Sequence, residues 1–184
     1  ARAAAAAVPV FRTVAVMPAY NAASTLRKTV ADIPTGTVDE IILVDDASHD
    51  GTVALAKTLP NLQLHVHENN RGYGANQKTC YKAALKKGAD IVVLLHPDYQ
   101  YDPKKIPEMI NPLKEDKADV VYGSRMLVKG GAKKGGMPLY KRIGNFFLTS
   151  FMNIMLGTKF TDAATGYIAY SRKVLESIPF TKFS

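Results

Sequence analysis

Tryptophan is absent from this 184-residue chain, and cysteine occurs once, as Cys80. A disulfide within one chain and a cysteine-based zinc site are therefore excluded. Cys80 falls in a helical pattern, where burial as a small apolar residue is a simpler reading than reactivity. No apolar run reaches the ~18 residues of a membrane-crossing helix. Acidic residues are the scarcer charge, 16 against 24 Lys and Arg, for a net +8. That balance favours anionic partners: nucleic acid, anionic lipid headgroups or phosphorylated substrates. Residues 1–10, ARAAAAAVPV, lack the hydrophobic bulk of a signal peptide and read as a disordered leader or an expression remnant. A reducing cytoplasm is then the default compartment. The final stretch, KVLESIPFTKFS, stops just after a short helical pattern, and the natural protein is expected to continue beyond Ser184.

What is present is an alternation of short apolar runs with helical patterns. Strands are predicted at Val14–Met17, Ile41–Val44, Leu62–Val66, Ile91–Leu95, Val120–Tyr122 and near Ile168–Tyr170. Helices are predicted after Ser24, a candidate cap, then from Thr52, over Gly74–Lys87, Lys105–Lys114 and Leu139–Met155, and from Lys173. Strands separated by helices imply right-handed crossovers and a mainly parallel sheet in one α/β domain. Between Val128 and Met137 the pattern gives way to KGGAKKGGM, read as a mobile basic loop.

Polar residues gather where strands end. The run IVVLLHPDYQYDP carries five apolar residues into Asp98, then Gln100 and Asp102. An acidic loop at the carboxyl edge of a parallel sheet suits a hard cation that holds a nucleotide diphosphate, or is simply a polar turn. MPAYN offers Pro18, which fixes the exit of the first strand, and Tyr20, an aromatic face for a base. VDDASHDGT pairs Asp45 and Asp46, whose charges need donors such as a base or ribose, while Asp50 reads as a helix cap. ENNRGYGAN is a glycine-containing turn into a helix, able to seat an anion on its amides, but it lacks the Lys-Ser/Thr of a P-loop. His65 and His67 alternate along a strand, open to joint metal binding or, more simply, an exposed strand face.

In order, the segments VMPAYNAASTL, ILVDDASHDGT, NNRGYGANQKT, LLHPDYQYDP, VVYGSRM and TDAATGYIAYSR resemble the family 2 glycosyltransferases of GT-A (Rossmann-like) fold. The GSR triplet, the basic glycine loop and D-x-x-TG look most like the dolichyl-phosphate mannosyltransferase and polyprenyl-phosphate glycosyltransferase branch. The resemblance implies one GT-A catalytic domain over residues 11–184. It implies an inverting, metal-dependent transferase that moves a hexose from a nucleotide diphosphate sugar (GDP-mannose or a UDP-sugar) to a polyprenyl or dolichyl phosphate.

By the same resemblance, Pro18, Tyr20, Val44, Asp46, His96, Pro97, Asp98 and Arg125 form the nucleotide-sugar site. Mg²⁺ or Mn²⁺ is the implied cofactor, with Asp98, Gln100 and His96 as candidate ligands. The first Asp of the family's D-x-D is His96 here, so metal binding rests on Asp98, and His96 either donates a nitrogen or hydrogen-bonds phosphate or ribose. An acidic residue usual two positions after the Tyr is Ala22 here.

Asp98, Arg125 and Asp162 are the candidate catalytic residues. Charge develops on the leaving diphosphate, and a cation and Arg125 suit it. A hydroxyl acceptor needs a base, for which Asp162 is the candidate; its alternative is pinning the Thr165–Gly166 turn. A polyprenyl phosphate is already anionic and needs cations to dock it, a role that suits Lys129, Lys133, Lys134, Lys141 and Arg142. The stretch 139–156 either lies in the membrane interface or covers the sheet. The expected location is peripheral, at the cytoplasmic membrane face, and acidic strand ends do not suit a nucleic-acid backbone. Transfer to a sugar or protein hydroxyl, a sugar-phosphate nucleotidyltransferase and a non-catalytic nucleotide-sugar binding module remain as alternatives.

Overall fold

The computed structural model describes residues 10–127 and 137–182. The leader over residues 1–9 and the loop lysines Lys129, Lys133 and Lys134 lie outside the described residues. Six strands form one sheet in the order β3-β2-β1-β4-β6-β5. They are β1 Thr13–Ala19, β2 Glu40–Asp45, β3 Leu62–Val66, β4 Ile91–Leu94, β5 Val120–Tyr122 and β6 Ile168–Ser171. The first four pair in parallel, while β6 runs antiparallel to both β4 and β5. The expected α/β fold with a mostly parallel sheet is thus present, as a single domain with one reversed strand.

The central strand explains the layering. Every residue of β1 is buried, because helices cover both of its faces. Alternate side chains point to opposite faces. Ala15, Met17, Leu43 and Val93 pack on one side with Leu26, Ile106 and Ile110. Those partners come from α1 (Ala23–Ala31) and α4 (Ile106–Lys114). Val14, Val16, Ile42, Val92 and Leu94 pack on the other with Cys80, Tyr81, Ala84 and Leu175, from α3 (Tyr73–Lys86) and α6 (Arg172–Ser177). Cys80 is buried as expected, and burial pushes its thiol well above the ordinary range. The short α2 (Thr52–Ala56) follows β2.

Ser24 does not cap α1. Ala22 precedes the helix, and the first turn is served from the next loop: Thr52 Oγ1 accepts from Ala22 N (2.8 Å) and Asp50 Oδ2 from Ala23 N (3.1 Å). Asp50 also accepts from Thr52 N at 2.9 Å, so one carboxylate serves two helix starts.

Helix α5 (Leu139–Leu156) departs from the usual pattern. Its buried residues are polar, Asn145 and Thr149, whereas Phe147 is 66% and Ile154 81% exposed. It rests on the 158–163 loop through hydrogen bonds. Asn153 takes Phe160 N (2.8 Å) and gives to Phe160 O (2.8 Å), and Thr149 Oγ1 accepts from Ala163 N (3.1 Å). The expectation that this stretch covers the sheet is therefore not met. Among the described residues no helix is long and apolar enough to cross a membrane.

Leu94→Ala should cost about 2–5 kcal/mol, because it opens a cavity in a two-sided core. Phe147→Ser should change stability by no more than about 0.5 kcal/mol. Urea unfolding of the two variants checks both.

Candidate active site at the carboxyl edge

A cleft of about 460 Å³ opens at the carboxyl ends of β1, β2 and β4. Pro18 and Tyr20 wall one side, Asp46 lies at the floor, and His96, Pro97 and Asp98 form the other side. Tyr20 is half exposed, its ring free for a planar partner. Val44 does not reach the cleft. It is fully buried and its carbonyl accepts from Asn76 Nδ2 at 2.9 Å, so it is no open contact for a nucleotide.

Asp46 is the most heavily bonded group in the cleft. Its Oδ1 accepts from His67 Nδ1 (2.7 Å) and Arg71 N (2.9 Å), and its Oδ2 from Gly72 N (2.9 Å). The amides of the glycine turn before α3 therefore seat an anion, as the turn predicted, but that anion is the protein's own carboxylate. It sits at a helix N-terminus, where negative charge is favoured. His67 is buried and also meets Thr79 Oγ1 at 3.0 Å, so neither an exposed strand face nor a metal pair with His65 describes it. Sequence reasoning missed this contact, because nothing local links residues 46 and 67.

His96 is fixed by Tyr73. Their rings stack with centroids 5.2 Å apart, and Tyr73 Oη lies 3.0 Å from His96 Nε2. Burial pushes the Tyr73 phenol up to about 12, so it keeps its proton. Gln77 Nε2 donates to that oxygen at 3.2 Å. Burial, reinforced by Arg125 and opposed by Asp98, holds the imidazole below its ordinary range. Tyr73 occupies Nε2, so any further partner of the ring meets Nδ1. Gly166 is required beside it, since a Cβ there would meet His96 Nε2 at 2.6 Å.

Asp98 is exposed at the cleft rim, and one of its oxygens accepts from Gln100 N at 3.1 Å. Tyr99 between them takes a left-handed φ of 58°. Its ring turns away to α1, under Lys28 Nζ at 3.9 Å and with its hydroxyl on Asp32. This anchor leaves Asp98 and Gln100 on the cleft side. Among the described residues no three His, Cys, Asp or Glu converge on a point. A single carboxylate still fits Mg²⁺ or Mn²⁺ where substrate phosphates and water complete the shell. Gln100 fits less well, because its Oε1 already accepts from Arg125 Nη1 at 3.3 Å.

Arg125 is clasped by Asp162. Oδ2 accepts from Arg125 Nε (3.0 Å) and N (3.2 Å), while Oδ1 accepts from Arg125 Nη2 (3.3 Å) and Asn145 Nδ2 (3.0 Å). The guanidinium also lies 4.9 Å from the Tyr101 ring. Four donors fill the lone-pair positions of a carboxylate, so Asp162 is not poised to take a proton. Nor does it pin the Thr165–Gly166 turn. That is done by Gly123 O, which accepts from Thr165 Oγ1 (2.5 Å), and by Tyr101 Oη, which accepts from Gly166 N (2.8 Å). Lys141 and Arg142 lie in the first turn of α5, just before Asn145.

A glycosyl transferase family 2 pattern matches residues 14–178. The chain belongs to glycosyl transferase family 2. It is 33% identical over 178 residues to a UDP-N-acetylglucosamine–dolichyl-phosphate N-acetylglucosaminyltransferase of Methanococcus voltae, covering 88% of this chain and 70% of that protein. It is 28% identical over 172 residues to an undecaprenyl-phosphate mannosyltransferase of Micrococcus luteus, covering 91% of this chain and 69% of that one. The fold is similar to that of glucosyl-3-phosphoglycerate synthase from Mycobacterium tuberculosis, solved with Mn²⁺, UDP-glucose and glycerol 3-phosphate. The TM-score is 0.68 at 22% identity, over 91% of this chain and 59% of that one. The family 2 domain thus has a GT-A type fold, and its cleft lies where such sheets bind their ligands.

The Asp46 network predicts a pH response. Burial works against its charge, but His67 and the Arg71 and Gly72 amides hold its carboxyl below the usual range. A carboxyl depressed on folding contributes fully above the unfolded value of ~4 and loses that contribution as pH falls through the folded value. Resistance to urea should fall more steeply below about pH 4 in the wild type than in Asp46→Asn.

Proposed function

We propose that the cleft binds a nucleotide diphosphate sugar and that the protein transfers its hexose, with inversion, to a polyprenyl phosphate. The observation that carries the acceptor class is the saturation of Asp162. A sugar or protein hydroxyl calls for a base, and the candidate base has no lone pair to spare. A phosphate monoester is an anion at neutral pH and attacks without one. Helix α5 supports the same reading. Beside the Arg125–Asp162 clasp it carries Lys141 and Arg142 at one end and outward Phe146, Phe147 and Phe151 along its length. Basic charge next to an apolar face suits a lipid headgroup and its chain, and supports a peripheral location at the cytoplasmic face of a membrane. The Methanococcus and Micrococcus relatives carry names of lipid-phosphate transferases.

In this reading Tyr20 stacks on the base, Pro18 and Pro97 wall the cleft, and Asp46 faces the base edge. Asp98 would hold Mg²⁺ or Mn²⁺ together with diphosphate oxygens, and the ion would supply positive charge against the departing diphosphate. Arg125, oriented by its clasp, retains one Nη1 hydrogen for the same oxygens. His96 offers Nδ1. Each well-placed donor of this kind is worth roughly 3 kcal/mol in the transition state. Lys129, Lys133, Lys134, Lys141 and Arg142 dock the acceptor phosphate.

Labelled hexose from UDP- and GDP-sugars, supplied with Mn²⁺ and vesicles containing polyprenyl phosphate, should pass into organic solvent. Label appearing only on water-soluble hydroxyl acceptors would refute the acceptor assignment. Asp98→Asn should lower turnover by about 100-fold or more and remove the Mn²⁺ dependence of nucleotide binding while leaving the urea midpoint in place. Phe147→Ser with Phe151→Ser should weaken co-sedimentation with the same vesicles several-fold.

A further inference from the structure

Asp46 and Asp162 are fixed by donors that sit on their own oxygens. Asp98 is held differently. Among the described residues it accepts one hydrogen bond, from Gln100 N at 3.1 Å, and it lies exposed on the cleft rim. A carboxylate that is to receive a cation cannot be crowded with donors, because each would compete with the ion for a lone pair. Its position must then be set through the backbone on either side.

Both flanks of Asp98 are tied to one element, α1. Before it, the buried Thr29 shares its hydroxyl hydrogen between Thr25 O (3.1 Å) and Pro97 O (3.3 Å). After it, the Tyr99 hydroxyl donates to Asp32, and Lys28 Nζ lies 3.9 Å from the centre of the Tyr99 ring. Lys104 Nζ, 3.7 Å from Asp32 Oδ1, draws the far end of the loop to the same carboxylate. Thr25, Lys28, Thr29 and Asp32 recur at helical spacing, which sets them on one side of α1 and its C-terminal cap. The first turn of α1 also lines the cleft, through Ser24 and Thr25, so one helix sets both a wall and the rim.

Tyr99 needs such a socket. Its φ of 58° is left-handed, a region that a bulky side chain adopts only where its surroundings enforce it. With the ring engaged on α1, the turn leaves Asp98 on the cleft side. We propose that Tyr99 is a positioning residue: locked onto α1 through Asp32 and Lys28, it seats Asp98 for its cation. None of Tyr99, Asp32 and Lys28 lines the cleft, so each acts through the backbone beside Asp98. The inference rests on the reading of Asp98 as a cation ligand in a nucleotide diphosphate site.

Calorimetric titration of the intact protein with UDP and with GDP, in Mn²⁺ and again in EDTA, tests it. The ratio of the two affinities for the tighter nucleotide measures how well the site holds the ion, and no turnover is required. The wild type should bind that nucleotide more tightly in Mn²⁺. Tyr99→Ala should lower the ratio by about tenfold, the usual loss when a residue supporting a metal ligand is removed, and leave the affinity in EDTA in place. Tyr99→Phe and Asp32→Ala break the same hydrogen bond from its two ends. Each should lower the ratio several-fold, and the double variant should lower it no further than Asp32→Ala alone. Tyr99→Asn tolerates the left-handed turn but loses the anchor, so its ratio should match that of Tyr99→Ala. General damage to the fold would weaken binding in Mn²⁺ and in EDTA alike. A ratio unmoved by Tyr99→Ala, or kept at the wild-type value by Tyr99→Asn, overturns the positioning role while leaving the cation site in place. A wild type in which Mn²⁺ tightens neither nucleotide overturns the reading of Asp98 itself.

Discussion

The crevice between β1 and β4 is the constraint on which the site depends. These strands are adjacent in the sheet although more than seventy residues separate them, since the chain first winds outward through β2 and β3 and then returns. The helices that follow β1 and β4 both pack on the face that holds Leu26 and Ile110, while α3 covers the other, and the cleft opens at the carboxyl edge where the loops leaving β1, β2 and β4 meet. The strands feeding the gap are buried on both faces and leave no room for polar groups along their length. Polar residues must wait until a strand ends, which is why Tyr20, Asp46 and Asp98 stand within one cleft. The loops that bring them there use left-handed backbone at Asn21, Ala47 and Tyr99. Such conformations cost of order 1–3 kcal/mol each in non-glycine residues and need firm support from their surroundings. Ser48 provides it for the first two, since its hydroxyl accepts from Asn21 N (2.8 Å) and its amide donates to Asp45 Oδ2 (2.9 Å).

Two buried carboxylates divide the site between them. Asp46 organises the floor of the cleft and Asp162 holds Arg125, each surrounded by donors from the protein itself. An ionised carboxylate out of water is costly unless its lone pairs are met. Meeting them makes it a rigid part of the wall and withdraws it from proton transfer. Asp98, half free at the rim, is the carboxylate left for a cation. The chemistry of the cleft thus follows from how fully each acid is bonded rather than from how many acids it holds.

The strands and most helices were legible because their signals are local: an apolar run, a periodic face, a glycine or proline at the boundary. Pro18, Tyr20, Asp46, His96, Pro97 and Asp98 were legible for the same reason, each lying where a run ends. Contacts across the sheet were not. His67 reaches Asp46 over 21 residues and Arg125 reaches Asp162 over 37. No spacing rule links such positions. Val44, read as a contact through the carbonyl side of its strand, has that carbonyl engaged by Asn76 Nδ2, 32 residues away. Gln100 was misjudged because its neighbour in space is a guanidinium, which no reading of the LLHPDYQYDP loop contains. Composition placed Leu139–Leu156 as an apolar helix, but which side it presents depends on the polar loop beneath it.

That loop gives α5 an unusual place in the energetics. A surface helix normally docks by its apolar stripe. Here the inward stripe is Asn145, Thr149 and Asn153, and what holds it is a set of hydrogen bonds to residues 160–163. Net contributions of such bonds are about 1 kcal/mol each, so the helix is held by far less than the core helices are. The same stripe closes the clasp, because Asn145 supplies one of the four donors on Asp162. A rotation of α5 large enough to break that bond would leave Arg125 Nη2 as the remaining donor on Asp162 Oδ1, so the seating of α5 and the saturation of Asp162 are linked through one asparagine.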